Sequence, residues 1–208
     1  MFKNAKFFLL AGTLFLQGCF STLWVAWIGY KHPTPDSFIS VDGCGFKIGV
    51  QNLDPFHELQ IVKESAKKIC ETLSDKGFEE MIKNKEWIAS CGRGGQSTNN
   101  LISGAELIEL LQQPINNFSI YINRPSFATA QADPINNRIA ITPNRVSSWQ
   151  AGNKAPFYTS MSHEMLHLIS VQFKDRGHHP QRCPQSKLVS YRVSEIISEM
   201  IISKNLAN

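Results

Sequence analysis

Phe7 to Tyr30 is a run of 24 residues without a charge, preceded by Lys3 and Lys6 and closed by Lys31-His32-Pro33. As a helix, at about 1.5 Å per residue, it would reach about 36 Å, enough to cross a hydrocarbon core of about 30 Å. Residues 1–30 therefore read as a leader or membrane anchor rather than part of a water-soluble core. The linker KHPTPDS (31–37) follows, and the folded domain is expected over 38–208. With 42% hydrophobic and 18% charged residues in 208, that remainder suits one compact domain and excludes disorder, collagen and a multi-span membrane protein. Without the two leader lysines, 19 basic residues face 17 acidic ones, a net +2, so no nucleic-acid partner is indicated.

Three readings of the leader stay open. It is an uncleaved anchor with its N-terminus in the cytoplasm, an ordinary cleaved signal, or a lipoprotein signal. For the last, Leu16-Gln17-Gly18-Cys19 resembles the lipobox of bacterial lipoproteins, which implies lipid on Cys19; Gln17 stands where that pattern usually has a small residue. In all three, the domain faces the periplasm or the exterior of a cell envelope; the lipoprotein and uncleaved-anchor readings also tie it to the membrane, by lipid or by the apolar segment. Cys44, Cys70, Cys91 and Cys183 then sit in an oxidising space, where two disulfides are expected with three connectivities open. No CxxC spacing points to a zinc knuckle.

Along the domain, Asp42-Gly43 between alternating apolar residues predicts a hairpin. Asp54-Pro55 offers a cap and a first-turn proline for an amphipathic helix running to Gly77. A helical turn and a strand (Glu86 to Cys91), the glycine-rich loop GRGGQSTNN, and a short helix from Ala105 to Gln113 follow. Strands are expected at Phe118 to Asn123, Phe127 to Ala132 and Arg138 to Thr142, the last two joined by Asp133-Pro134-Ile135-Asn136-Asn137. Helices from Pro156 to Lys174 and Ser186 to Asn205 end the chain. The expected fold class is α+β, with a small, mostly antiparallel sheet, a motif-bearing helix and a C-terminal glutamate-bearing helix.

His163-Glu164-Met165-Leu166-His167 carries the chemistry. Residues four apart share a helical face, so both imidazoles can meet one ion while Glu164 reaches a water on it. These are the parts of metal-assisted hydrolysis: neutral nitrogen ligands, a carboxylate to take a proton, and an open coordination position. A chain with six histidines and eleven glutamates contains such a motif by chance about 0.01 times.

The metzincin continuation is excluded, because Ser170 and Phe173 stand where it needs glycine and histidine. The later sequence Ser194-Glu195-Ile196-Ile197-Ser198-Glu199 instead resembles the glutamate helix of the gluzincin metallopeptidases. That resemblance implies a zincin-like fold, Zn2+ held by His163, His167 and Glu195, Glu164 as general base, and Glu199 accepting a hydrogen bond from a ligand imidazole. It also implies a strand pair ahead of the motif (SFATAQADPINNRIAITPN) whose edge receives substrate backbone. His178 and His179 are rival third ligands or, with Tyr191, candidates to stabilise the oxyanion. The function expected on these grounds is a zinc-dependent peptide-bond hydrolase acting on a peptide or protein substrate. A non-catalytic envelope scaffold and an amidase acting on cell-wall peptide are the alternatives.

Overall fold

The computed structural model describes residues 37–50, 53–54, 57–91, 99–122, 129–170, 172–173 and 183–207. The leader with Cys19, the linker up to residue 36, and His178 and His179 lie outside these residues.

The described chain is α+β. Its strands are β1 (Ser37–Ser40), β2 (Lys47–Val50), β3 (Glu86–Ser90), β4 (Asn100–Ser103), β5 (Phe118–Ile122), β6 (Ala130–Asp133) and β7 (Arg138–Ile141). Its α-helices are α1 (Glu58–Leu73), α2 (Lys76–Lys83), α3 (Gly104–Leu111), α4 (Pro143–Gln150), α5 (Ala155–Ile169) and α6 (Val189–Ala207). The main sheet has the order β1-β2-β5-β7-β6, and β3 and β4 form a separate antiparallel pair.

The main sheet is mixed, which corrects the mostly antiparallel expectation. Its three central strands run parallel, Ile48 opposite Phe118 and Ile120 opposite Ile139, while β1 and β6 pair antiparallel at the edges. Burial explains the difference. Ile48, Val50, Phe118, Ile120, Ile139 and Ile141, spaced two apart, line one buried face, and on the opposite face Gly49, Ser119 and Ala140 are buried too, so the central strands are covered on both sides as parallel strands usually are. The hairpin between β1 and β2 does form, with Gly43 at φ +79° in its loop.

Helices differ from expectation in several places, among them the motif helix, which ends at Ile169 rather than Lys174. The first helix begins at Glu58 with His57 in the capping position, and Asp54 instead accepts a hydrogen bond from His57 Nδ1 at 2.9 Å. It ends at Leu73 because Asp75 caps a new helix, its side chain accepting from the backbone N–H of Gly77 and Phe78. Helix α4 was not anticipated. Its sequence PNRVSSWQ has weak helix propensity, but Pro143 in its first turn is a start signal and Trp149 packs edge-on against Phe157 and Tyr158. Gly104, at the start of α3, has no room for a side chain: an added Cβ would lie 2.1 Å from the carbonyl oxygen of Ile82.

Both disulfides form, as Cys44–Cys70 and Cys91–Cys183. The first ties the β1–β2 loop to α1, and the second ties the end of β3 to the segment entering α6. Cross-linking restricts the unfolded chain more when the loop is longer. For separations of 26 and 92 residues the chain-entropy relation gives about 3.5 and about 4.6 kcal/mol. Urea unfolding followed by tryptophan fluorescence should therefore show a larger loss of stability for Cys91→Ser/Cys183→Ser than for Cys44→Ser/Cys70→Ser.

The β6–β7 turn adds a pH-dependent contribution. Burial raises the Asp133 carboxyl, but hydrogen bonds from the Asn136 side chain and from Arg138 outweigh it and hold the group below its ordinary value of 3.8. A carboxyl lowered in the folded state stabilises above its unfolded value, and that contribution is lost as pH falls through the folded value. Between pH 5 and pH 3 the urea midpoint of the parent should fall further than that of Asp133→Asn.

Candidate active site

Helix α5 is buried nearly all round. Phe157, Tyr158, Met161, Met165 and Leu166 join the core, and the helix packs on β6, β7, α1, α3, α4 and α6. At about 100° per residue, the half-buried positions Pro156, Thr159, His163 and His167 fall on one stripe, opposite the core-facing residues. The motif histidines thus occupy a strip of the helix that the fold leaves partly open. Glu164, on the flank of that strip, is 6% exposed and is the only charged side chain among the buried described residues.

The two imidazoles converge. His163 Nε2 and His167 Nε2 are 3.3 Å apart, with ring planes at 81°. His167 Nδ1 lies 2.5 Å from the carbonyl oxygen of Phe173. A carbonyl only accepts, so Nδ1 carries the hydrogen and Nε2 is left with its lone pair. The Tyr191 and His163 rings meet in a T-shaped arrangement, with centroids 4.8 Å apart and planes at 75°.

Tyr191 is placed by a small satellite core of Ile88, Cys91, Cys183 and Leu188, against which it packs. The Cys91–Cys183 disulfide and a parallel bridge between Ile88 and Leu188 hold this cluster together. Sequence reasoning missed the turn after α5. Ser170 ends the helix in an extended conformation, its Oγ accepts from the Gln172 N–H, and its carbonyl accepts from the Phe173 N–H. Phe173, 1% exposed, is buried in the core. A large apolar residue close behind the motif was the signal available.

The glutamate helix does not deliver its carboxylates to the histidines. Tyr191 meets His163 and Ser198 Oγ donates to the carbonyl of Ala155 at 3.2 Å, so α6 runs antiparallel to α5. Glu195, between these two contacts, is level with the first half of α5 rather than with His167. Its side chain is 50% exposed and accepts from Arg192 Nη1 at 2.9 Å; Glu199, 62% exposed, accepts from the same nitrogen at 3.0 Å. Residues 192, 195 and 199 form one helical stripe, and the two carboxylates, Glu199 foremost, push the Arg192 guanidinium above its already high ordinary value.

Among the described residues, no group of three or more His, Cys, Asp or Glu is placed to hold a metal ion. This overturns the gluzincin resemblance and its His163, His167, Glu195 site, and it leaves Glu199 an ion-pair partner of Arg192 rather than of an imidazole. Comparison with protein families, curated proteins and solved structures finds no match to the chain. Among the described residues, no helix is long and apolar enough to cross a membrane.

Exposed ion pairs contribute little, about 0–1 kcal/mol. Glu195→Ala should therefore lower unfolding stability by less than about 1 kcal/mol and leave metal uptake, measured by elemental analysis, at the parent level.

Proposed function

We propose that the chain is a metal-dependent hydrolase of peptide bonds, in which His163 and His167 are two protein donors to a zinc ion and Glu164 is the general base. The observation that carries this reading is the 3.3 Å between the two Nε2 atoms. Two nitrogens at about 2.0–2.1 Å from a tetrahedral zinc are separated by about 3.3 Å. The chemistry of the pair agrees: His167 turns an unprotonated Nε2 toward His163 while its Nδ1–H is held by a backbone carbonyl, the usual outer partner of a metal-binding imidazole.

An ion held by His163 and His167 would supply polarisation of a carbonyl and activation of a water. Glu164, at the edge of the half-open strip, would be the residue that accepts a proton from the attacking water and passes it to the leaving amine. Strand β6 is an edge of the main sheet and packs beside α5, so an extended peptide can add to it as a further strand. The two disulfides fit an oxidising compartment outside the cytoplasm, in keeping with the apolar leader. Glu195 and Glu199 have no part in this reading. A non-catalytic binding role is the second reading, favoured by the described residues offering two convergent donors rather than three.

Zinc uptake and cleavage of a quenched-fluorescence peptide library test the proposal on the full chain in mild detergent. One zinc per chain is expected, lost in His163→Ala and in His167→Ala. Glu164→Gln should keep the zinc and lose hydrolysis by about 10²- to 10⁴-fold. His178→Ala/His179→Ala tests whether the loop histidines complete the donor set. A parent that takes up no zinc would overturn the hydrolase reading in favour of the binding role. Zinc uptake with cleavage of cell-wall peptides but not of the library would make the activity that of an amidase.

A further inference from the structure

The turn that closes α5 does more than end a helix. Ser170 leaves the helical path, its Oγ holds the Gln172 N–H at 3.2 Å, and its carbonyl holds the Phe173 N–H at 3.1 Å. The Phe173 ring is sealed in the core at 1% exposure, and Ser170 is at 9%. The Phe173 carbonyl is thereby fixed by packing at one end and by the turn at the other, and it ends 2.5 Å from His167 Nδ1.

The two imidazoles are consequently not equivalent. With Nδ1–H of His167 donating to Phe173, its Nε2 is a lone pair aimed at His163 Nε2, 3.3 Å away. Two bare lone pairs at that distance repel, whereas one N–H between them is a hydrogen bond. We infer that the Ser170–Phe173 turn is a tautomer-setting device: it holds His167 as the Nδ1–H form, and His163 faces it as the Nε2–H form. Phe173 and Ser170 are thus positioning residues that act through His167, and their role toward a metal rests on the hydrolase reading above.

The test is long-range proton–nitrogen correlation NMR on the full chain with ¹⁵N-labelled histidine, chelator-treated and at a pH where both imidazoles are neutral. His167 is expected as Nδ1–H and His163 as Nε2–H. Phe173→Ala removes the ring that seats the carbonyl, so His167 should drift toward Nε2–H and zinc affinity, read by competition with a chelating dye, should fall about 10- to 100-fold. Phe173→Leu keeps an apolar anchor and should restore both readouts, and Ser170→Ala should move them part of the way. Circular dichroism shows which variants fold. His167 found as Nε2–H in the parent, or a folded Phe173→Ala with unchanged tautomer and affinity, would overturn the inference. A parent with the expected tautomers and no zinc uptake would instead overturn the hydrolase reading while upholding the device in the protein itself.

Discussion

The arrangement depends on how α5 is seated. A helix with one apolar face leaves half its circumference free for water, but α5 is buried over most of its turn by two sheet strands and four helices. Burying Phe157, Tyr158, Met161 and Met165 fixes the helix in rotation as well as position, since turning it by one residue would bring a histidine into the core and expose a large apolar side chain. His163 and His167 inherit their direction from that constraint. Core packing brings them together, and the hydrogen bond between their Nε2 atoms completes the convergence.

A second constraint comes from outside the main core. The β3–β4 pair is not part of the five-stranded sheet, and it meets the site through Cys91, Ile88 and the residues entering α6. A covalent tie across 92 residues of sequence fixes where α6 begins, and Tyr191 stands in its first turn. The antiparallel course of α6 then decides which of its residues fall near the motif. With Tyr191 beside His163, a residue one turn later is carried toward Ala155 and away from His167.

Much of the fold was legible because its signals are local. The Asp42-Gly43 hairpin, the strand near Glu86, the β6–β7 turn and the long helix around the motif each rest on neighbours in sequence. What was not legible depended on partners far along the chain. Parallel pairing joins β2 to β5 across three helices and β5 to β7 across β6, and disulfide connectivity is a property of the folded chain. At the site, the convergence of His163 and His167 followed from spacing, but the third position did not. Glu195 and Glu199 were read by their distance from the motif, with no weight given to Arg192 three residues before the first of them.

Electrostatics explains why that arginine matters. An exposed ion pair is weak, so it would not by itself hold Glu195 from a stronger site. Here geometry and charge act together: the helix register places Glu195 beside the wrong turn of α5, and Arg192 offers it a neighbour that needs no movement of the backbone. Recruiting Glu195 to the histidines would require α6 to slide by about one helical turn, roughly 5.4 Å. Such a slide would pull Tyr191 from His163, Leu188 from Ile88 and Ser198 from Ala155, against a disulfide that anchors the helix entrance. The same contacts that bring Tyr191 to the site keep Glu195 away from it.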